Sequence, residues 1–411
     1  MSTGKIAIVG AGPSGCFLAQ SLLKAAPELE VDLIDRLPVP YGLVRYGVAA
    51  DHQGTKAVAR QFARVFDRQG AQFHGNVTLG QDVTLEALQG AYDAVVLAAG
   101  LSNDRPLDVP GADLAGVYGA GLLTRALYDH PDAAALPDLG PRPLIVGNGN
   151  VAIDLLRLLA KQPDELAGSD LGPVATGWLE NSGIEEITIT GRSPAAQAKF
   201  DTVMIKELSK LSGVTIHVEG VGSSEDAAEA KKIEAVLALH GHATGPRRVT
   251  FRFGLTPLAV EGAEHVTAMR FRTAAGEETL PCTAVLTAIG FGPAGDLPRD
   301  ALLDAATDRD AGVLAPGLYA TGWFRRGPRG TIPENRADAQ ALATRILAEL
   351  SPDPAKPGRA ILAGLTDRVD YAGWTRIDTH ETATAPESRC RAKIATREEM
   401  LRLAREEEPN A

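Results

Sequence analysis

Short apolar runs that close on glycine or an acid, each followed by a helical pattern, recur along this chain. Lys5–Gly10 (KIAIVG) predicts a buried strand and Phe17–Ala26 (FLAQSLLKAA) a helix. A second strand is expected at Glu30–Asp35 (EVDLID) and a third at Tyr92–Gly100 (YDAVVLAAG). The stretch Arg105–Gly111 (RPLDVPG) breaks the rhythm, as a crossover between domains would. The cycle then restarts: strand at Pro143–Gly149 (PLIVGNG), helix at Asn150–Ala160, strand at Glu185–Gly191 (EEITITG). Further strands are predicted at Arg247–Gly254, Cys282–Gly290 and Pro316–Trp323, and a last long helix at Arg336–Leu350. Ser223–Ala230 reads as an exposed loop or helix start, and the charged tail from Arg389 as a helix on the surface. Alternating strands and helices predict an α/β fold with parallel sheets.

Two of the strand–helix junctions carry glycines at chemically meaningful spacing. In the first, Gly10 permits a tight turn, Gly12 lets the backbone approach a pyrophosphate, and Gly15 lets the helix pack on the sheet. Pro13 suits the first helical turn, where its missing N–H costs nothing. Asp35 ends the next strand, where a carboxylate accepts both ribose hydroxyls. The second junction, Gly147-Asn148-Gly149-Asn150-Val151-Ala152, repeats the pattern with alanine in third place. Its following strand ends at Gly191-Arg192-Ser193, with no acid at the tip. An arginine there pairs with a 2′-phosphate, which favours NADP over NAD.

Two nucleotide sites in one chain point to a held flavin and an exchanging nicotinamide. The length of 411 residues allows two domains. The net charge of −11 argues against a nucleic-acid binder, and no apolar run reaches membrane-spanning length. The first strand begins at Lys5, which predicts no secretory leader and a cytoplasmic protein; a mitochondrial matrix location would require a removed transit peptide. Cys16, Cys282 and Cys390 form no close pair, so neither a metal cluster nor a redox disulfide is expected. Without an internal dithiol, the electrons are expected to leave for an external acceptor.

Seven stretches together resemble the adrenodoxin reductase type of ferredoxin–NADP reductase: IVGAGPSG, PVPYGLVRYGVAADH, FHGNVTLGQDV, GNGNVAIDLLRLL, GRSPAAQAKF, ATGWFRRGPRGTIPEN and WTRID. The resemblance covers nearly the whole chain. It implies two Rossmann-like dinucleotide-binding domains, an NADP domain of residues 105–311 inserted in a discontinuous FAD domain of residues 1–104 plus 312–411. It places Ser14, Arg36, Gly42, Leu43, Leu79, Gly100 and Gly322 against FAD. Trp323 would lie along the flavin, with Gly330, Thr331 and Ile332 facing flavin and nicotinamide. It adds Glu207 to the NADP pocket, and His52 and Asp154 to the surroundings of the redox centre. Ser193 departs from the family's second arginine, a loss of charge for which Lys199 is a candidate to compensate. Asp35-Arg36 stands for a more usual Glu-Lys, and Ala50 for a proline. The implied partner is a ferredoxin-type iron–sulfur protein, docked through Lys231 and Lys232 or through Arg325 and Arg326. A flavoprotein reducing a quinone or other small acceptor, or a redox-signalling flavoprotein, is the alternative; oligomeric state is not legible.

Overall fold

The computed structural model describes residues 3–242, 245–294 and 297–405. Two compact units divide the chain: Met1–Asn103, His130–Asp132 and Phe291–Ala411 form one, Asp104–Asp129 and Ala133–Gly290 the other. No helix among the described residues is long and apolar enough to cross a membrane.

The first unit is built on a six-stranded sheet in the order Val313–Ala315, Leu318–Ala320, Ala94–Leu97, Lys5–Val9, Glu30–Ile34, Gln72–His74. Only the pair Val313–Ala315 and Leu318–Ala320 is antiparallel. The near-continuous apolar run of Lys5–Val9 follows from cover on both faces. Ile6 and Ile8 pack with Leu18 and Leu22 of the helix Pro13–Ala25 and with Leu342 and Ile346 of the helix Ile332–Glu349. Ala7 and Val9 point the other way, into a cluster with Val95, Leu97 and Leu318.

The second unit has six parallel strands in the order Val117–Gly119, Ala284–Thr287, Pro143–Val146, Glu186–Gly191, Arg247–Phe253, Val214–Glu219. An antiparallel meander of Thr256–Gly262, Val266–Thr273 and Gly276–Pro281 packs against it through Val266, Met269 and Phe271. The sequence pattern did not reveal this meander. An antiparallel sheet needs only one buried face, so Arg270 and Arg272 interleave the apolar positions.

Two expectations need correction. The chain returns to the first unit at Phe291, not at Gly312, because Leu297, Leu302 and Ala306 pack on that unit's core. Residues His130–Asp132 also belong there: Asp132 pairs with Arg36 at 3.4 Å and with Arg397 at 2.7 Å. The tail is helical only over Arg397–Arg405, and it is not a surface addition. Met400, Leu403 and Ala404 are buried with Trp374 and Ile377 in the first unit's core; residues 406–411 lie outside the described residues.

The tail is tied down by charge as well. Glu381, fully buried, accepts from Arg45, from Arg391 at 2.9 Å and from Ile394 N at 2.8 Å. Arg45 in turn lies between the rings of Tyr46 and Trp374, 5.0 and 5.2 Å from their centres. Burial pushes the Glu381 carboxyl up, but Arg45, Arg391 and the Ile394 N–H together hold it below the usual glutamate range. Glu381→Ala leaves Arg45 buried without its counter-charge and should cost about 3–5 kcal/mol, read as a lower denaturation midpoint. The lowered value means that the wild-type contribution is complete above the unfolded-chain glutamate pKa of about 4.3 and is lost as pH falls through the folded value. Wild-type melting temperature should therefore fall more steeply below about pH 4 than that of Glu381→Gln.

Candidate functional site

The first glycine turn is shaped by contacts between backbone atoms. Gly10 has φ +112°, and a Cβ there would stand 2.5 Å from the Ala98 carbonyl oxygen. A Cβ at Gly15 would stand 2.0 Å from Gly10 O, so only glycine lets the helix Pro13–Ala25 start this close to the strand. Gly12 differs: its φ of −78° suits any residue, and a Cβ there would meet only Gly42 Cα, at 3.9 Å. The Tyr41–Gly42 segment is fixed against the turn by Tyr41 N donating to Ala11 O at 2.8 Å. Tyr41 itself holds φ +82°, a strained value for a side-chain-bearing residue. Gly12 and Gly42 thus face each other with no side chain between them, a cradle that fits an extended diphosphate. Asp35 Oδ2 accepts from Ala11 N at 2.8 Å and Oδ1 from Leu37 N at 3.0 Å, which aims the carboxylate across the turn. Burial pushes its pKa up against these two donors and Arg36, so hydroxyls donating to it would favour the charged form. Leu43, at the start of Leu43–Tyr46, keeps 39% of its surface exposed, while Leu79 is buried. His52 caps the short helix Gln53–Lys56 through its backbone.

The second turn repeats the geometry. Gly147 has φ +129°, and a Cβ would stand 2.3 Å from Ala288 O. Gly149, with φ −96°, is again open: a Cβ would meet only Lys199 Cβ, at 3.9 Å. Ala152 replaces the third glycine and is fully buried. Asn148 Nδ2 presses where a Gly191 side chain would stand, 2.1 Å from that Cβ position, which explains glycine at the end of Glu186–Gly191. Asn150 and Val151 open the helix Asn150–Ala160. Arg192 is exposed beside the half-buried Ser193. Glu207 sits 3.6 Å from the buried Arg157, which also pairs with Asp154 at 2.8 Å. Sequence reasoning passed over Arg157; its place one helical turn after Asp154 was the available signal.

The Gly322-Trp323 turn receives its carboxylate from elsewhere in the chain. Asp338, on the helix Ile332–Glu349, accepts from Gly322 N at 2.7 Å and Thr321 Oγ1 at 2.9 Å. It also pairs with Arg325, and with Arg326 at 3.2 Å. Burial pushes the Asp338 carboxyl up, yet Gly322 N and Arg325 keep it below the usual range. Asn335 links Arg326, at 2.7 Å, to Ser14, at 3.3 Å, and so joins this turn to the first glycine turn. Trp323 stacks on Phe291 at 6.1 Å and 21°, and its Nε1 lies 3.4 Å from Gly330 O. Glycine at 330 is required by φ +93° and by Arg326 Nη1, 2.5 Å from its Cβ position. Thr331 and Glu334 form a capping box ahead of Ile332.

Three of the four expected docking cations are already engaged. Arg325 and Arg326 serve Asp338, and Arg326 also serves Arg329 O at 2.9 Å. Lys232 Nζ donates to Ala198 O at 2.7 Å and sits 5.9 Å from the Phe200 ring centre. Only Lys231 of the four is exposed.

Twin strand–turn–helix units with open second glycines define an α/β pyridine-nucleotide oxidoreductase. The chain matches the family model described as Pyridine nucleotide-disulphide oxidoreductase over residues 4–332. It is 42% identical to cindoxin reductase of Citrobacter braakii, over 97% of this chain and 91% of that one. It is 36% identical to NADPH-ferredoxin reductase FprA of Mycobacterium tuberculosis, over 97% and 98%. It is 31% identical to mitochondrial NADPH:adrenodoxin oxidoreductase of Bos taurus, over 98% and 92%. A solved structure of Mycobacterium tuberculosis FprA in complex with NADPH matches at TM-score 0.90 and 32% identity, covering 98% of this chain and 100% of that one. The chain belongs to the adrenodoxin reductase-type ferredoxin–NADP reductases within that family.

The open and closed glycines predict different failures. Gly12→Ala should fold normally and lose bound flavin, and Gly149→Ala should fold and lose pyridine-nucleotide binding, because each new methyl meets no protein atom closer than 3.9 Å and would fill the open face of its turn. Gly15→Ala should lower thermal stability, flavin or no flavin, because its methyl meets Gly10 O. Absorbance at flavin wavelengths and melting curves distinguish the three.

Proposed function

We propose that the chain is an FAD-containing NADPH–ferredoxin reductase, with FAD on the first unit and NADPH on the second. The observation that carries this reading is the pair of equivalent turns, each closed at its first glycine and open at its second. When bound, FAD accepts a hydride from the nicotinamide and releases electrons singly. Asp35 orients the flavin-side ribose, and the Gly12–Gly42 cradle admits the pyrophosphate. The helix Ile332–Glu349 points its positive end toward Trp323, where it favours negative charge on the flavin ring. Arg192 takes the 2′-phosphate, and Ser193 beside it adds a hydroxyl without charge.

Cys16 and Cys282 are buried and free of any disulfide, and the Cys16 thiol donates to Ala11 O at 3.3 Å. Its pKa is pushed well up, chiefly by burial. The electrons therefore pass to an external acceptor, for which a ferredoxin-type iron–sulfur protein is the proposed class. Lys231 is the remaining candidate for docking it. Thiols outside any disulfide at Cys16 and Cys282 suit a reducing compartment such as the cytoplasm.

NADPH should bleach the yellow protein rapidly, and a ferredoxin should then be reduced one electron at a time. Turnover with a quinone but with no ferredoxin would replace this reading by the small-acceptor one. Arg192→Ala should raise the KM for NADPH about tenfold or more, the loss of a charge-assisted bond of about 1.5–3 kcal/mol, and leave that for NADH unchanged. Lys231→Glu should slow ferredoxin reduction and flatten its salt dependence while ferricyanide reduction stays intact. A parallel fall in both activities would remove Lys231 from the docking face.

A further inference from the structure

The segment that follows Arg192 folds back onto the second glycine turn. Lys199 N donates to Asn148 O at 3.1 Å, and Lys199 and Gly149 form an isolated parallel bridge. Two residues on, Asp201 N donates to the Asn150 side chain at 2.8 Å. From the other side, Lys232 Nζ holds Ala198 O at 2.7 Å. Phe200 is buried, edge-on to Phe253 at 6.4 Å. The backbone of residue 199 is thus fixed over the opening of the helix Asn150–Ala160, while its side chain is exposed. Its ammonium has no ion pair or hydrogen bond among the described residues. Nothing in the core needs a lysine here, and Lys199 Cβ is the atom that approaches the open face of Gly149, at 3.9 Å from the Cβ position.

Resting on the NADPH reading of this turn, we propose that Lys199 is a pyrophosphate-binding residue, supplying a full positive charge to the bridging phosphates of the nicotinamide dinucleotide. A diphosphate brings two negative charges to this turn. The helix end offers roughly half a positive charge, and the turn's N–H groups are neutral donors. A flexible ammonium anchored by its own backbone at Gly149 answers the remainder. The assignment separates the labour of two cations. Arg192 reads the 2′-phosphate and so decides between NADP and NAD. Lys199 reads the diphosphate that both dinucleotides share, and so sets affinity without setting preference.

Titration calorimetry on the flavin-loaded protein tests this with NADP⁺, NAD⁺ and 2′-AMP. Lys199→Gln should weaken NADP⁺ and NAD⁺ by the same factor, about tenfold, and leave 2′-AMP unchanged. Lys199→Arg should restore most of the loss. Binding of both dinucleotides within about twofold of wild type would overturn the proposal, as would a loss confined to NADP⁺ and 2′-AMP. A wild-type protein that binds neither dinucleotide would instead overturn the NADPH reading on which the proposal rests.

Discussion

Backbone must come against backbone where a strand turns into a helix at the edge of a parallel sheet. Everything else in this protein is arranged around that constraint. Gly15 against Gly10 O, and Gly147 against Ala288 O, are approaches that no side chain permits. Once made, they leave two helix starts, at Gly12 and at Gly149, where a Cβ would meet nothing closer than 3.9 Å. A helix end in this state attracts anions without any dedicated cationic residue. The chain then adds side chains one at a time: Asp35 beside the first turn, Arg192 and Lys199 beside the second.

The turn at Gly322 shows the same economy in electrostatic form. The residue following Gly322 is an indole, so the turn's N–H needs an acceptor from elsewhere. Asp338 provides it from the helix Ile332–Glu349, and the same carboxylate pairs with both Arg325 and Arg326. Because Asn335 reaches both Arg326 and Ser14, the Gly322 turn and the first glycine turn are joined by one polar chain. Burial opposes the charge on Asp338, and the donors around it overcome burial. The arginines that read as a docking patch share this one carboxylate.

Much of this was legible beforehand because the signals are local. The turn glycines, Pro13, Asp35 and Arg192 each sit at fixed offsets from an apolar run, and the parallel strands are buried on both faces. What escaped has causes that show only once the chain is folded. Asp338 is one helix removed from the turn it serves. The partners of Arg325, Arg326 and Lys232 are visible only once the chain is folded, so surface and interior cations look alike in a sequence. The tail looks like a solvated helix because Glu398, Glu399 and Arg402 dominate its composition, yet Met400 and Leu403 at helical spacing bury it. The boundary near Phe291 escaped for a similar reason: Leu297, Leu302 and Ala306 show their allegiance only by what they pack against.

The interruption of the first unit by the second has a consequence for biosynthesis. The strand Leu318–Ala320 hydrogen-bonds to Ala94–Leu97, more than two hundred residues earlier, and the helix Ile332–Glu349 covers the same sheet as Pro13–Ala25. On a ribosome the residues of the second unit are therefore all made while the first remains an open, four-stranded, half-covered sheet. The inserted unit has its own core and is fully synthesised first, its own late strand Ala284–Thr287 included. The nascent first unit meanwhile holds exposed apolar surface at Ala94–Leu97, the kind of species that aggregates or recruits a chaperone. Its closing strand must find a long-separated edge, a non-local pairing of the intrinsically slow kind.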